Sequence, residues 1–266
     1  MRYLAALFIA ALTTTAAPAY SMSTLRWYGN VRIDIVNDHG SVLQTIPYRE
    51  FRTGETQIIK KYLEANKGER YSMIVRNFGP ARIGLVIAVD GRNIISGRRS
   101  ELGNREEMYI VNGYETGRYD GWRTDRDTVH RFYFTDMDDS YSMRTFQDAS
   151  AMGIIAVAVY REKERPQPPE ERQTLRNAPA PESSGRAKSS VQSDESAGTG
   201  FGDASYSPVV TVAFEPEGFP IEKMLVKYAW HDVLCRQGIL RCQPEPGNRL
   251  WDEGAYAPFP PAYRTN

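Results

Sequence analysis

Alternation of apolar and polar positions dominates the first two thirds of the chain. In "VRIDIVN", Val31, Ile33 and Ile35 alternate with Arg32 and Asp34, the pattern of a strand with one buried face. "VLQTIPY" follows after the break at "DHGS". "YSMIVRN" then sets Tyr71, Met73 and Val75 against Ser72, Ile74 and Arg76. Two later runs, "IGLVIAV" (83–89) and "GIIAVAVYRE" (153–162), are apolar on both faces and predict central strands. The first runs straight into Asp90-Gly91, a pair that suits a type I′ hairpin turn, with "IISG" as the return strand. "EEMYIVNGY" and "VHRFYFT" supply two shorter strands. The central runs share a face of small residues, Gly84, Val86 and Ala88 in one and Ile154, Ala156 and Ala158 in the other. That match places them near each other in one sheet, under a closely packed layer.

The expected fold is therefore mainly β, an antiparallel β-sandwich with long loops spanning 24–163. An open sheet covered by one helix is the alternative. Residues 164–205 are rich in Pro, Ser and charge and have almost no large apolar side chain, which predicts a disordered linker. Apolar patterning returns at "SPVVTVAFEP", read as a strand over 209–214. In "PIEKMLVKYAWHDVLCRQG", Met224, Val226, Tyr228 and Trp230 alternate as a strand, while Ile221, Met224, Leu225 and Tyr228 also fit a helical stripe. The strand is preferred to about Trp230, with a short helix over "HDVLCRQ". Residues 206–243 thus read as a β-hairpin plus short helix completing the first domain, since a lone hairpin is too small to stand by itself. The tail 244–266, carrying Trp251, Tyr256, Phe259 and Tyr263, is expected to lie extended on the body or to dock a partner.

The N-terminus changes the picture of where the chain works. Arg2, the short apolar run "YLAALFIAAL", and Ala17 and Ala19 in A-x-A positions form an export signal over 1–19, with a mature chain beginning near Tyr20. The run is shorter than the ~20 residues of a membrane-spanning helix, and no other segment is apolar enough for one. The expected product is a soluble exported protein, periplasmic or extracellular. Cys235 and Cys242 fit an oxidising compartment, and a disulfide between them is the preferred reading over a free thiol or an intermolecular bridge. Lys plus Arg and Asp plus Glu both total 33, so no basic excess favours nucleic acid.

Candidate chemistry is sparse. No nucleophile elbow, S-x-x-K, H-E-x-x-H, phosphate loop or dinucleotide fingerprint occurs, and no catalytic residue is assigned. His39, His130 and His231 are the only histidines. The densest stretch is "YDGWRTDRDTVHRFYFTDMDDSYS" (119–142). Trp122, Tyr133, Arg123 and Arg126 are its candidate binding residues for a sugar or peptide. Asp136, Asp138 and Asp139 are its candidate metal ligands, with Ca²⁺ as the ion that hard oxygens suit. Against this, Arg118, Arg123, Arg126 and Arg131 are interleaved as if to neutralise the acids, and alternation sends Phe132 and Phe134 to one buried face.

The blocks "GLVIAVDGRNIISG", "YDGWRTDRDTVHRFYFTD", "AMGIIAVAVYREK" and "GTGFG" resemble those of a group of uncharacterised exported proteins of proteobacteria, over about 60–245. The resemblance implies an exported, non-repetitive unit and assigns no activity or site. Two functions are left to weigh. One is an exported binding or cell-envelope accessory protein with a protein or envelope partner. The other is a carbohydrate-binding module or carboxylate-dependent hydrolase, Ca²⁺-stabilised in one version.

Overall fold

The computed structural model describes residues 30–163 and 196–242. The expected signal peptide, most of the expected linker and the aromatic tail lie outside them. The strands in chain order are β1 (Val31–Asn37), β2 (Thr45–Thr53), β3 (Thr56–Glu64), β4 (Arg70–Asn77), β5 (Ile83–Val89), β6 (Arg92–Asn93) and β7 (Tyr109–Val111). They continue with β8 (Thr116–Tyr119), β9 (Gly121–Arg123), β10 (Thr128–Asp136), β11 (Ile154–Arg161), β12 (Ala197–Thr199), β13 (Ala204–Tyr206) and β14 (Glu222–Ala229). A 3-10 turn at Met137–Asp139 leads into α1 (Tyr141–Phe146), and α2 (His231–Arg236) follows β14.

The strands form two sheets. The first runs β1-β4-β10-β12, with β8 also on β4 and β9 and β13 also on β10. The second runs β2-β3-β14-β11-β5-β6, with β7 on β5. The inner faces meet in one core. Ile33, Ile35, Tyr71, Met73, Val75, Phe132 and Phe134 come from the first sheet, and Leu85, Ile87, Val89, Val157, Met224 and Val226 from the second. The β-sandwich expected from alternation is thus the observed fold. Tyr71 sits stacked between Phe134 at 4.4 Å and Phe132 at 5.3 Å, so the aromatics of β10 are central packing elements.

The two doubly apolar runs pair directly, Ala156 opposite Ala88 and Ala158 opposite Val86. Their small face is covered, but not by a second sheet. Val86, Ala158 and Tyr160 pack against Leu102 and Met108, and the Phe214 ring seats against Gly84. Small residues here make room for a long loop and a strap. The Asp90-Gly91 turn has φ of +48° and +76°, the pair of positive values a type I′ turn requires. Its return strand is only Arg92–Asn93.

Three expectations need correction. Residues 197–205, assigned to the linker, form β12 and, with Tyr206, β13 on β10. Composition hides them because Ala197, Gly198, Thr199 and Gly200 are buried by close fit rather than by large apolar area. A Cβ on Gly200 would stand 2.1 Å from the Tyr133 ring. Residues 209–214 form no strand. Consequently there is no C-terminal hairpin. β14 is a strand and α2 a helix as expected, but β14 inserts between β11 (antiparallel) and β3 (parallel), which makes the second sheet mixed. Insertion into a centre, with two partners, is what a strand with buried Met224, Val226 and Tyr228 can use.

Candidate functional site

The residues proposed from sequence are placed apart by the fold. Trp122 is 2% exposed, edge-on to Phe132, with its indole N–H donating to the Gly200 carbonyl at 3.0 Å. It is a core residue and offers no face to a ligand. Arg123 is a clamp. Its Nε donates to the Tyr109 hydroxyl (2.7 Å) and its Nη1 to the carbonyls of Asp125, Arg126 and Ser207, at 3.0, 3.1 and 2.9 Å. The guanidinium thus holds carbonyls, not the acids beside it in sequence. Arg126 is exposed and lends its carbonyl to that clamp. Arg118 does pair Asp120 at 2.6 Å, whereas Arg131 reaches Asp38. Replacing Arg123 with Ala is expected to destabilise by about 2 kcal/mol. Hydrogen exchange should speed up at Ser207 and Val209, whose N–H groups bond the carbonyls of Asp127 and Arg126.

Asp136 is ion-paired with Lys67, while Asp138 and Asp139 are exposed on the 3-10 turn. Among the described residues, no three donors including any of these aspartates lie within reach of one ion. The turn fans the carboxylates outward, and the Ca²⁺ reading has no converging ligand set. Tyr133 and Asp139 do share a shallow hollow of about 340 Å³ with Tyr141, Arg144 and Phe201.

Sequence reasoning missed two places. The first is a buried polar cluster joining the sheets. Asp90, at the end of β5, is 1% exposed. Its Oδ1 accepts from the Gly153 N–H (2.9 Å) and the Tyr228 hydroxyl (2.6 Å), and its Oδ2 accepts from the Thr199 N–H (2.7 Å). The Thr199 hydroxyl lies 2.7 Å from that of Tyr228 and 2.8 Å from that of Tyr71. Burial pushes the Asp90 carboxyl up to about 7, against the pull of these donors. The signal available in sequence was the Asp of the hairpin turn. Turn chemistry explained it fully and so concealed its second task.

The second is an open cleft of about 560 Å³ between the sheets, lined by Asn30, Arg52, Gln57, Asn77, Arg161 and Glu222. Glu222 occupies the inward-facing register of β14, where Met224, Val226 and Tyr228 are apolar. It is 6% exposed, and burial lifts its carboxyl to about 7, with Lys61 opposing and Glu50 adding to the rise. At neutral pH the cleft therefore presents a carboxyl that both donates and accepts protons. A strand residue out of step with its apolar face was the readable signal.

A wider groove of about 670 Å³ lies between residues 104–112 and the strap 209–216, bordered by Met108, Tyr109, Val209, Val212 and Phe214. The strap is fixed at both ends. Ser207 and Val209 are held as above, and at the far end the Lys163 N–H donates to the Glu215 carbonyl and the Glu217 N–H to that of Arg161. Between these anchors, among the described residues, the N–H groups of Val210 to Phe214 donate to no backbone carbonyl. Val210 is 84% exposed, and Tyr206, Val209, Val212 and Phe219 are also exposed apolar side chains. Comparison with protein-family models, with curated proteins and with solved structures finds no match. No helix among the described residues is long and apolar enough to cross a membrane.

Proposed function

We propose that the chain is an exported cell-envelope accessory protein that receives an extended segment of a partner protein along residues 208–214. The observation that carries this reading is the strap itself. It has strong strand formers, an exposed apolar face and a run of backbone N–H groups without backbone acceptors among the described residues, yet it is held in place at both ends. An added strand satisfies such a backbone and covers Val210 and Val212, which is the physics of strand addition. The continuation of the strap through Phe219 walls the inter-sheet cleft, so a partner segment following the strap arrives at Glu222. Export is supported by the N-terminal pattern and by Cys235 and Cys242 standing at disulfide distance.

Site-specific photocrosslinking tests it. A photoreactive residue at Val210 is expected to give one discrete adduct with another envelope protein, and one at exposed Tyr48 none. An adduct with residues 243–266 of the same chain, with a second copy, or none at all overturns the reading. N-terminal sequencing of the mature chain is expected to begin near Tyr20.

The hollow around Tyr133 favours a second reading, a carbohydrate-binding module, because Phe201 is partly exposed there beside Asp139 and Arg144. Binding on a glycan array that Phe201→Ala abolishes is the result that supports it.

A further inference from the structure

Among the described residues, His231, Cys235 and Cys242 form the one group of three metal-type donors whose ligand atoms all lie within 4.8 Å of one another. Two of them come from α2. His231 opens the helix and Cys235 follows one turn later, at i and i+4, so both side chains share a face. Gly238, with φ of +68°, then turns the chain back to bring in Cys242. The Cα atoms of the two cysteines are 5.6 Å apart, and their sulfurs are joined in this structure.

The imidazole is already oriented. Its Nδ1 donates to Glu64 Oε1 at 2.8 Å, at the end of β3, which in the neutral ring leaves the lone pair on Nε2. That Nε2 faces Cys242 Sγ at 3.7 Å. A carboxylate behind a histidine that points at sulfur is the outer-shell arrangement that steadies zinc-bound histidines. With Zn–S near ~2.3 Å and Zn–N near ~2.0 Å, the N···S edge of a tetrahedral site is about 3.6 Å, close to the observed separation. The S···S edge is about 3.8 Å, so the joined sulfurs must part for an ion to enter.

We propose that Cys235, Cys242 and His231 form a redox-gated zinc site, closed by the disulfide and opened by its reduction. The Cys235–Cys242 bond takes two electrons and two protons from an external dithiol, which leaves as its own disulfide. Zn²⁺ then binds both sulfurs and His231 Nε2, displacing the two thiol protons to solvent. Three protein ligands leave the fourth tetrahedral position to water. The site stands independently of strand addition at the strap, because it uses residues of α2, of the turn that follows it and of the end of β3, and none of the strap.

The test uses the full mature chain, reduced with a dithiol, freed of reductant under nitrogen and titrated with Zn²⁺ against a chromophoric chelator. One equivalent is expected to bind to the reduced protein and none to the oxidised protein. His231→Ala should weaken binding by at least tenfold, and Glu64→Ala by about tenfold. Co²⁺ bound to the reduced chain should show thiolate charge-transfer bands that Cys242→Ser removes, with circular dichroism confirming that each variant keeps its sheet signal. Equal zinc affinity in the reduced wild type and in His231→Ala overturns the proposal. So does zinc binding that survives in the oxidised chain, or reduced protein that binds no zinc.

Discussion

Replacing Asp90 with alanine should lower the free energy of unfolding by about 4 kcal/mol at pH 5. The carboxyl accepts from the N–H groups of Gly153 and Thr199 and from the Tyr228 hydroxyl, all buried. Alanine strands the two N–H groups, each at about 1–3 kcal/mol, while the Tyr228 hydroxyl can turn to Thr199. It also puts a side chain without polar atoms at φ +48°. Asparagine separates these effects, since it tolerates that φ. One of its two ends is an NH₂, so one backbone N–H still loses its acceptor, and the cost should fall to about 2 kcal/mol.

The pH profile gives an independent check. The folded carboxyl titrates at about 7, above the ordinary value of 3.8. An acid raised on folding contributes stability that is full below its unfolded value and is lost as pH rises through the folded one. Between pH 4 and 7 the unfolded chain has released this proton and the folded chain still holds it. This carboxyl should therefore take about 1.4 kcal/mol of stability per pH unit over that window, in addition to whatever other groups contribute. Urea unfolding at pH 4, 5.5, 7 and 8 should show that slope reduced in Asp90→Asn. An unchanged slope assigns the titration elsewhere.

Much of this architecture was legible in the sequence because it follows from period-two alternation. The doubly apolar runs at 83–89 and 153–162 announced central strands, and their nearness in one sheet followed from matched small residues; the structure pairs them directly. The Asp90-Gly91 turn was readable because a positive φ leaves few residue choices. What alternation cannot carry is partnership across long separations. β14 reads as a strand, but nothing local says that it lies parallel to β3, whose residues precede it by 165 positions at Glu222 opposite Gln57. β12 was invisible for another reason. Its burial depends on Gly198 and Gly200 fitting beneath Ser140 and Tyr133, and fit has no compositional signature.

The candidate site was less legible than the fold. The charged aromatic stretch at 119–142 drew attention by density, yet the structure spends Trp122 on the core and Arg123 on carbonyls. Conversely, 209–214 carries a strand pattern and remains without a strand partner among the described residues. A local pattern that agrees with strand formation and goes unpaired is a conflict between levels, and such conflicts collect where a protein has a use for them. His231 and the two cysteines were visible one by one. Glu64, which sets the ring's direction, comes from a strand 167 residues away and had no local signal.

Glu222→Gln is expected to act in the opposite sense to Asp90→Ala and to stabilise the protein by about 3 kcal/mol at pH 8. The wild-type carboxyl rises on folding from 4.5 to about 7, chiefly through burial. Its stability contribution is full below pH 4.5 and is lost as pH climbs through 7, so at pH 8 the fold carries a buried carboxylate. Among the described residues no group donates a hydrogen bond to it, and Lys61 acts only through space while Glu50 opposes it. Glutamine keeps the shape and removes the charge. The two proteins should therefore unfold at the same urea concentration at pH 4 and diverge steadily above pH 5. A variant less stable than wild type at pH 8 shows instead that Lys61 holds the carboxylate in a working ion pair. The expected sign bears on function. A residue whose neutral isostere improves stability is not kept for the fold, and Glu222 lines the cleft toward which the proposed partner segment would run. If partner adducts at Val210 weaken in Glu222→Gln while the protein grows more stable, the carboxyl is part of the recognition surface. Its charge at neutral pH then selects a partner segment carrying a basic side chain.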